Sequence, residues 1–165
     1  PAWVGDMVMA QSLCGYLKTQ DPSIEISVVA PANTAPIAKR MPAVHDVIET
    51  TFAHGRLHLK ARWRIGHSLR KQGFSQAFVL PGSLKSALVP FFAAIPLRTG
   101  YSGEPRWGLI NDCRPKPQHK RDLMVDRFIN LARTKPSMQN IAFTAPRLEA
   151  DVSAPQAIFK RLNKN

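Results

Sequence analysis

No apolar run in this chain approaches the roughly 20 residues a bilayer-spanning helix needs, and no stretch reads as a signal peptide. Cysteine is nearly missing. The two present, Cys14 and Cys113, show no metal-ligand spacing; one falls on an apolar helical face and the other in a polar loop, so they read as buried or incidental thiols rather than a disulfide. The histidines at 45, 54, 58, 67 and 119 share no coordinating pattern with the scattered aspartates, which excludes a recognisable metal site. Neither a Walker-type phosphate loop nor a GxGxxG turn occurs, and no internal repeat is found. Acidic side chains are also few: 11 Asp and Glu stand against 23 Lys and Arg, for a formal net charge of +12.

What remains is a globular composition of single-domain length. Across 165 residues, 44% are apolar and 21% charged, which excludes disorder and allows about two thirds of the unfolded surface to be buried in one core. The basic excess attracts polyanions, whether nucleic acid, anionic lipid or phosphorylated and carboxylated substrates, and the total alone does not choose among them.

Strands and helices alternate along the chain. From Asp6, Met9, Leu13 and Leu17 recur every four residues with Ala10 and Cys14 beside them, predicting a helix that Asp21 and Pro22 end. Ile24 to Ala30 reads as a buried strand, Ile37 to Met41 as a short helix, and Val44 to Thr50 as a strand nearer an edge. Leu57, Ala61, Ile65 and Leu69 form a helical row stopped at Gly73. Its basic side, Arg56, Lys60 and Arg64 continued by His67 and Lys71, reads first as a solvated face. Ala77 to Leu80 is a continuous apolar strand, followed by a Pro81-Gly82 turn, Ser83 as N-cap and a helix from Leu84 that Pro90 kinks or shortens. A strand over Leu97 to Tyr101, a long loop and a helix around Leu123 to Ala132 complete the pattern. Beyond Pro136 only IAF and PRLEA suggest short strands.

Such alternation implies an α/β fold, a Rossmann-like parallel sheet with helices on both faces, in which ligands bind beyond the carboxyl ends of the strands. Four segments should lie there: PAWVGD, PANTAP, LPGSLK and GYSGEPRWG. The first calls for a strand in front of it, so the sheet is expected to lack its first strand and the chain to be a piece of something longer.

PAWVGDMVMAQSL, then LPGSLKSALVPFFAAIPLRTGY, EPRWGLINDCR and LMVDRFINLA together resemble the amino-terminal half of the ADP-heptose:lipopolysaccharide heptosyltransferases, nearest the branch that adds the second heptose. The resemblance covers the chain to about Ala132. It implies the N-terminal domain of a two-lobed GT-B glycosyltransferase: residues 1–150 as an acceptor-binding Rossmann-like domain, 151–165 as the start of an interdomain linker, and the ADP-heptose-binding domain absent. It further implies inverting transfer of L-glycero-D-manno-heptose from ADP-heptose, with no cofactor, onto the heptose of the inner core in heptosyl-Kdo-lipid A, on the cytoplasmic side of the inner membrane and in peripheral contact with it.

Attack by a sugar hydroxyl on an anomeric carbon needs a base in hydrogen-bond reach of that hydroxyl. Asp6 is the candidate. Its position at the start of a helix alone favours a capping role, whereas WVGD, where the family's base stands, favours catalysis. Gly5 before it allows a tight turn and close substrate approach. Lys85 sits in a first helical turn, where an anion would relieve the conflict of its charge with the free N–H groups, and Ser83 and nearby amides would share that anion. Arg106 reads either as an exposed loop residue or as a bidentate partner for a carboxylate or phosphate, and Arg64 joins these acceptor-side candidates. Trp3 and Trp107, beside turns at the cleft, read more readily as covers of the core than as sugar platforms. Two alternatives stand beside this reading: a non-catalytic basic module binding nucleic acid, for which no motif is found, and a sibling heptosyltransferase with another acceptor.

Overall fold

The structure, a computed structural model, describes residues 1–52, 56–116, 123–133 and 145–149. Helix α1 (Val4–Gln20) starts two residues before the acid at which the pattern begins and ends where Asp21 turns extended. The Asp21 carboxylate accepts bonds from the backbone N–H and hydroxyl of Ser23, and Pro22 has no N–H with which to extend the helix. Strand β1 (Ser27–Pro31) runs parallel to β2 (Asp46–Thr50), pairing Ser27 with Asp46 through Pro31 with Thr50. β1 starts later than its apolar run because Ile24 to Ile26 precede the register that β2 supplies. Between them α2 (Ala35–Ala38) forms the crossover.

Helix α3 (Leu59–Leu69) continues as a 3₁₀ turn to Gln72 and stops at Gly73, whose φ of 68° is the left-handed conformation glycine adopts without strain. Strand β3 (Gln76–Val79) leads to α4 (Leu84–Phe92), which tolerates Pro90 only because it ends two residues later. Strand β4 (Leu97–Tyr101) falls on the residues the pattern indicates, and α5 (Met124–Ala132) closes the regular structure. Strand β5 (Asp112–Arg114), parallel to Thr99–Tyr101, lies in what reads as a polar loop, so Cys113 is on a strand. The readings for IAF, residues 151–165, His54 and His119 lie outside the described residues.

All strand pairs are parallel, but they form two ladders, β1–β2 and β3–β4–β5. Helices cover both faces, and the period-2 alternation of strands shows it. Val47 packs with Met7, Ala35, Ala38 and Met41 of the α1–α2 side, while its neighbour Ile48 packs with Leu69, Val89 and Ala93 of the α3–α4 side. In β3, Ala77 belongs to the α3–α4 cluster and Phe78 to the cluster of Ala10, Leu13 and Phe128 from α1 and α5. α3 and α4 cross at Gly66, where an added Cβ would lie 2.5 Å from the Phe92 Cβ and 2.8 Å from the Val89 carbonyl oxygen.

Candidate functional site

The segments at the carboxyl edge are tied together in pairs. Asn33, after β1, donates its side-chain amide to the Ala2 carbonyl at 3.0 Å, and the Thr34 hydroxyl donates to the Pro1 carbonyl at 3.1 Å. PAWVGD and PANTAP thus form one unit. After β4, the Glu104 N–H donates to the Gly82 carbonyl at 3.0 Å, joining GYSGEPRWG to LPGSLK. Gly103 lies so close to Gly82 that any Cβ on it would collide with the Gly82 carbonyl. Leu80 carries α1 and α5 on its side chain, so one β3 residue links the helix bearing Asp6 to the loop bearing Ser83.

Asp6 stands in the first turn of α1, half-buried, but it is not the cap. Trp3 holds the cap position, and the Asp6 carboxylate accepts no hydrogen bond among the described residues. The helix dipole favours a negative charge there, which leaves an oxygen pair available to a ligand. Gly5 is in the same helical turn, exposed and with nothing within 4 Å of a built Cβ, so the tight-turn argument for it fails. Trp3 and Trp107 are 71% and 91% exposed; neither covers the core.

Ser83 occupies the N-cap of α4 without a side-chain cap bond. The Leu84 N–H instead donates to the Glu104 carboxylate at 2.8 Å. Lys85 is half-buried, and its ammonium forms no ion pair among the described residues; its carbonyl accepts from Arg62 Nη1 at 2.9 Å. Arg62, 7% exposed, also donates Nε to the Leu57 carbonyl at 2.8 Å and lies 4.0 Å over the Phe52 ring. It therefore fastens the start of α3 to the start of α4. Burial lowers its pKa, although a guanidinium keeps its proton at any physiological pH.

Arg106 corrects the sequence reading in both its forms. It is buried, 6% exposed, and its guanidinium donates to the backbone: Nη1 to the carbonyls of Pro81 at 2.8 Å and Ser83 at 3.4 Å, Nη2 to that of Tyr101. Both terminal nitrogens hold the loop, so no fork remains for a bidentate anion. Desolvation lowers its pKa, partly offset by Cys113 and Glu104. It is a charge that shapes the loop from within. Arg64 is exposed on the outer face of α3, two residues and so about 160° from Arg62; the structure does not bring it to the Lys85 loop.

Glu104, Arg62 and the β5 network escaped sequence reasoning. In that network Arg114 donates Nε and Nη2 to Asp112, both at 2.9 Å, and the Thr99 hydroxyl donates to the same carboxylate at 2.9 Å. A signal for Arg62 existed, since Arg62, Gly66 and Leu69 lie at one helical spacing, marking a buried face on which a lone arginine needs carbonyl partners. Among the described residues no cluster of His, Cys, Asp or Glu has metal-binding geometry, and no helix is long and apolar enough to cross a membrane.

A parallel α/β module with two stitched loop pairs at its carboxyl edge, one presenting a carboxylate and the other a lysine, is a lobe of the Rossmann-like class, in which ligands bind beyond the carboxyl ends of the strands. Residues 62–162 match glycosyltransferase family 9 (heptosyltransferase), and the chain belongs to that family. It is 49% identical over 139 residues to lipopolysaccharide heptosyltransferase 2 of Salmonella typhimurium, covering 84% of this chain and 40% of that protein. To lipooligosaccharide heptosyltransferase 2 of Haemophilus influenzae it is 42% identical over 169 residues, covering 99% and 48%. The solved structure of Escherichia coli ADP-heptose LPS heptosyltransferase II superposes with a TM-score of 0.85 at 39% identity, over 100% of this chain and 49% of that one. The chain spans about half the length of the relatives it matches.

Proposed function

We propose that this chain is the acceptor-side lobe of an inverting heptosyltransferase that adds the second heptose of the lipopolysaccharide inner core, using ADP-heptose as donor. The observation that carries the proposal is the Asp6 carboxylate at the carboxyl edge, which accepts no hydrogen bond among the described residues, in a chain 49% identical to a protein named lipopolysaccharide heptosyltransferase 2. The acceptor hydroxyl of the core heptose forms a bond to C1 of the donor heptose as the bond from C1 to the ADP phosphate oxygen breaks. Asp6 takes the hydroxyl proton. Attack from the face opposite ADP inverts C1. The Lys85 ammonium and the Ser83 hydroxyl hold an anionic group of the core, phosphate or sugar acid, with the buried charge of Arg106 reinforcing the positive field behind them. The resident chemistry calls for no metal or cofactor.

The test joins the chain to the donor-side half of the Escherichia coli enzyme to which it is similar and measures heptose transfer to heptosyl-Kdo-lipid A. Asp6→Asn is expected to bind the acceptor as the parent does and to lower kcat by about 10²- to 10⁴-fold. Lys85→Ala is expected to raise KM for the acceptor. Transfer by Asp6→Asn at the parental rate removes Asp6 from the role of base.

A further inference from the structure

The first turn of α1 is not held by its own side chains. Trp3 and Val4 are 71% and 55% exposed, and Gly5 has open space where a Cβ would stand. No side chain caps the helix; Trp3 contributes its carbonyl, which accepts from the Met7 N–H at 3.0 Å. A first turn with neither cap nor packing frays, because its leading N–H groups have no partners within the helix. Met7 is the one buried residue of this turn, packed among Ala30, Ala35, Ala38 and Met41. It sets the rotation of α1 and, since successive residues turn by about 100°, leaves Asp6 to one side of the core. The point at which the chain enters the helix is set elsewhere.

Two side chains from the loop after β1 set it. The Asn33 amide donates to the Ala2 carbonyl at 3.0 Å and the Thr34 hydroxyl to the Pro1 carbonyl at 3.1 Å. Thr34 is fully buried; its N–H donates to the Pro31 carbonyl at 2.9 Å and its own carbonyl accepts from Ile37 and Ala38. The hydroxyl is therefore carried on a rigid turn, the same one that leads Ala35 and Ala38 against Met7. Both bonds grip carbonyls that precede the helix, so they steady its entry without engaging the Asp6 carboxylate. We infer that Asn33 and Thr34 are positioning residues that set where the Asp6 carboxylate stands relative to the acceptor hydroxyl, an inference that rests on the role proposed for Asp6 above. A reacting group misplaced by about 1 Å can lose about a hundredfold in rate. Two hydrogen bonds of modest stabilising effect thereby gain a large effect on transfer.

The test uses the joined protein described above and measures heptose transfer to heptosyl-Kdo-lipid A. Asn33→Ala combined with Thr34→Val is expected to lower kcat by about tenfold or more while KM for the acceptor stays within about twofold of the parent. Thr34→Ser keeps the hydroxyl and should transfer at close to the parental rate, whereas Thr34→Val should not. Placed on Asp6→Asn, the pair should cost nothing further, because a base already removed cannot be misplaced. Circular dichroism and a thermal melt confirm that each variant is folded at the assay temperature; if Thr34→Val unfolds, Asn33→Ala, at an exposed position, carries the same comparisons. Asp6→Asn at the parental rate sinks the base reading and this inference with it. With Asp6→Asn slow, the positioning inference alone is overturned by any of three results: the pair at the parental rate, a loss of kcat in the Asp6→Asn background equal to that in the parent, or Thr34→Ser as slow as Thr34→Val.

Discussion

The carboxylate of Glu104 accepts a hydrogen bond from the backbone N–H of Leu84 at 2.8 Å, so α4 is capped from the loop after β4 and not by the serine that precedes it. Capping at a distance also fastens two loops of the candidate site. Glu104→Ala should therefore lower stability by about 1 kcal/mol, while Ser83→Ala, which removes no cap bond, should stay within about 0.5 kcal/mol of the parent. Urea unfolding midpoints of the two variants check this. The reverse order would return the cap to Ser83.

Arg106 holds three carbonyls with one guanidinium, and lysine cannot reproduce that fork. Arg106→Lys and Arg106→Met should both destabilise by about 1–3 kcal/mol, because each takes a donor from the Tyr101 carbonyl, while the Pro81 and Ser83 carbonyls keep Ser86 as a donor. A residue that served only to bind substrate would give the opposite pattern: normal unfolding and weakened acceptor binding, restored in part by lysine.

Gly66 and Gly15 are both helical glycines, but their surroundings differ. At Gly66 a methyl group meets the Phe92 Cβ and the Val89 carbonyl, whereas at Gly15 it meets nothing within 4 Å. Gly66→Ala should cost about 1–3 kcal/mol through separation of α3 and α4, despite the better helix propensity of alanine. Gly15→Ala should stabilise by about 0.5–1 kcal/mol. Thermal melts of the pair read both signs in one experiment.

Acid titration reports on β5. The Arg114 guanidinium, hydrogen-bonded to Asp112, holds that carboxyl below the ordinary carboxylate range, helped by the Thr99 hydroxyl and opposed by desolvation. A lowered folded-state pKa gives stability that is fully present above the unfolded value of about 3.9 and is lost as pH falls through the folded one. The urea midpoints of the parent and Asp112→Asn should therefore differ at pH 7 and converge as the pH is lowered from about 4. A gap constant with pH would show that the charge is not what the substitution removes.

Most of the fold was legible because periodicity carries it. The four-residue row Leu57 to Leu69 and the run Ala77 to Leu80 each satisfy one local pattern, and local pattern decides their class. β5 was illegible because a three-residue strand has no period; only the Thr99–Asp112 register creates it. The separation of the sheet into two ladders was likewise invisible, since pairing partners are not written into either strand. At the candidate site, the motifs single out Asp6 and Lys85 as proposals, whereas the main-chain contacts of Arg106 and Glu104 could not be read. Both act through main-chain groups far along the chain, and nothing in their immediate neighbours announces a carbonyl or an N–H waiting some twenty residues away.

That manner of holding has an evolutionary consequence. Arg62, Arg98 and Arg106 all grip main-chain oxygens, and a peptide oxygen is present whatever side chain its residue carries. Loops anchored in this way are free to exchange their outward-facing letters without losing their path. A descendant of this chain can exchange the side chains its loops present, while three inherited arginines keep the main chain on its path.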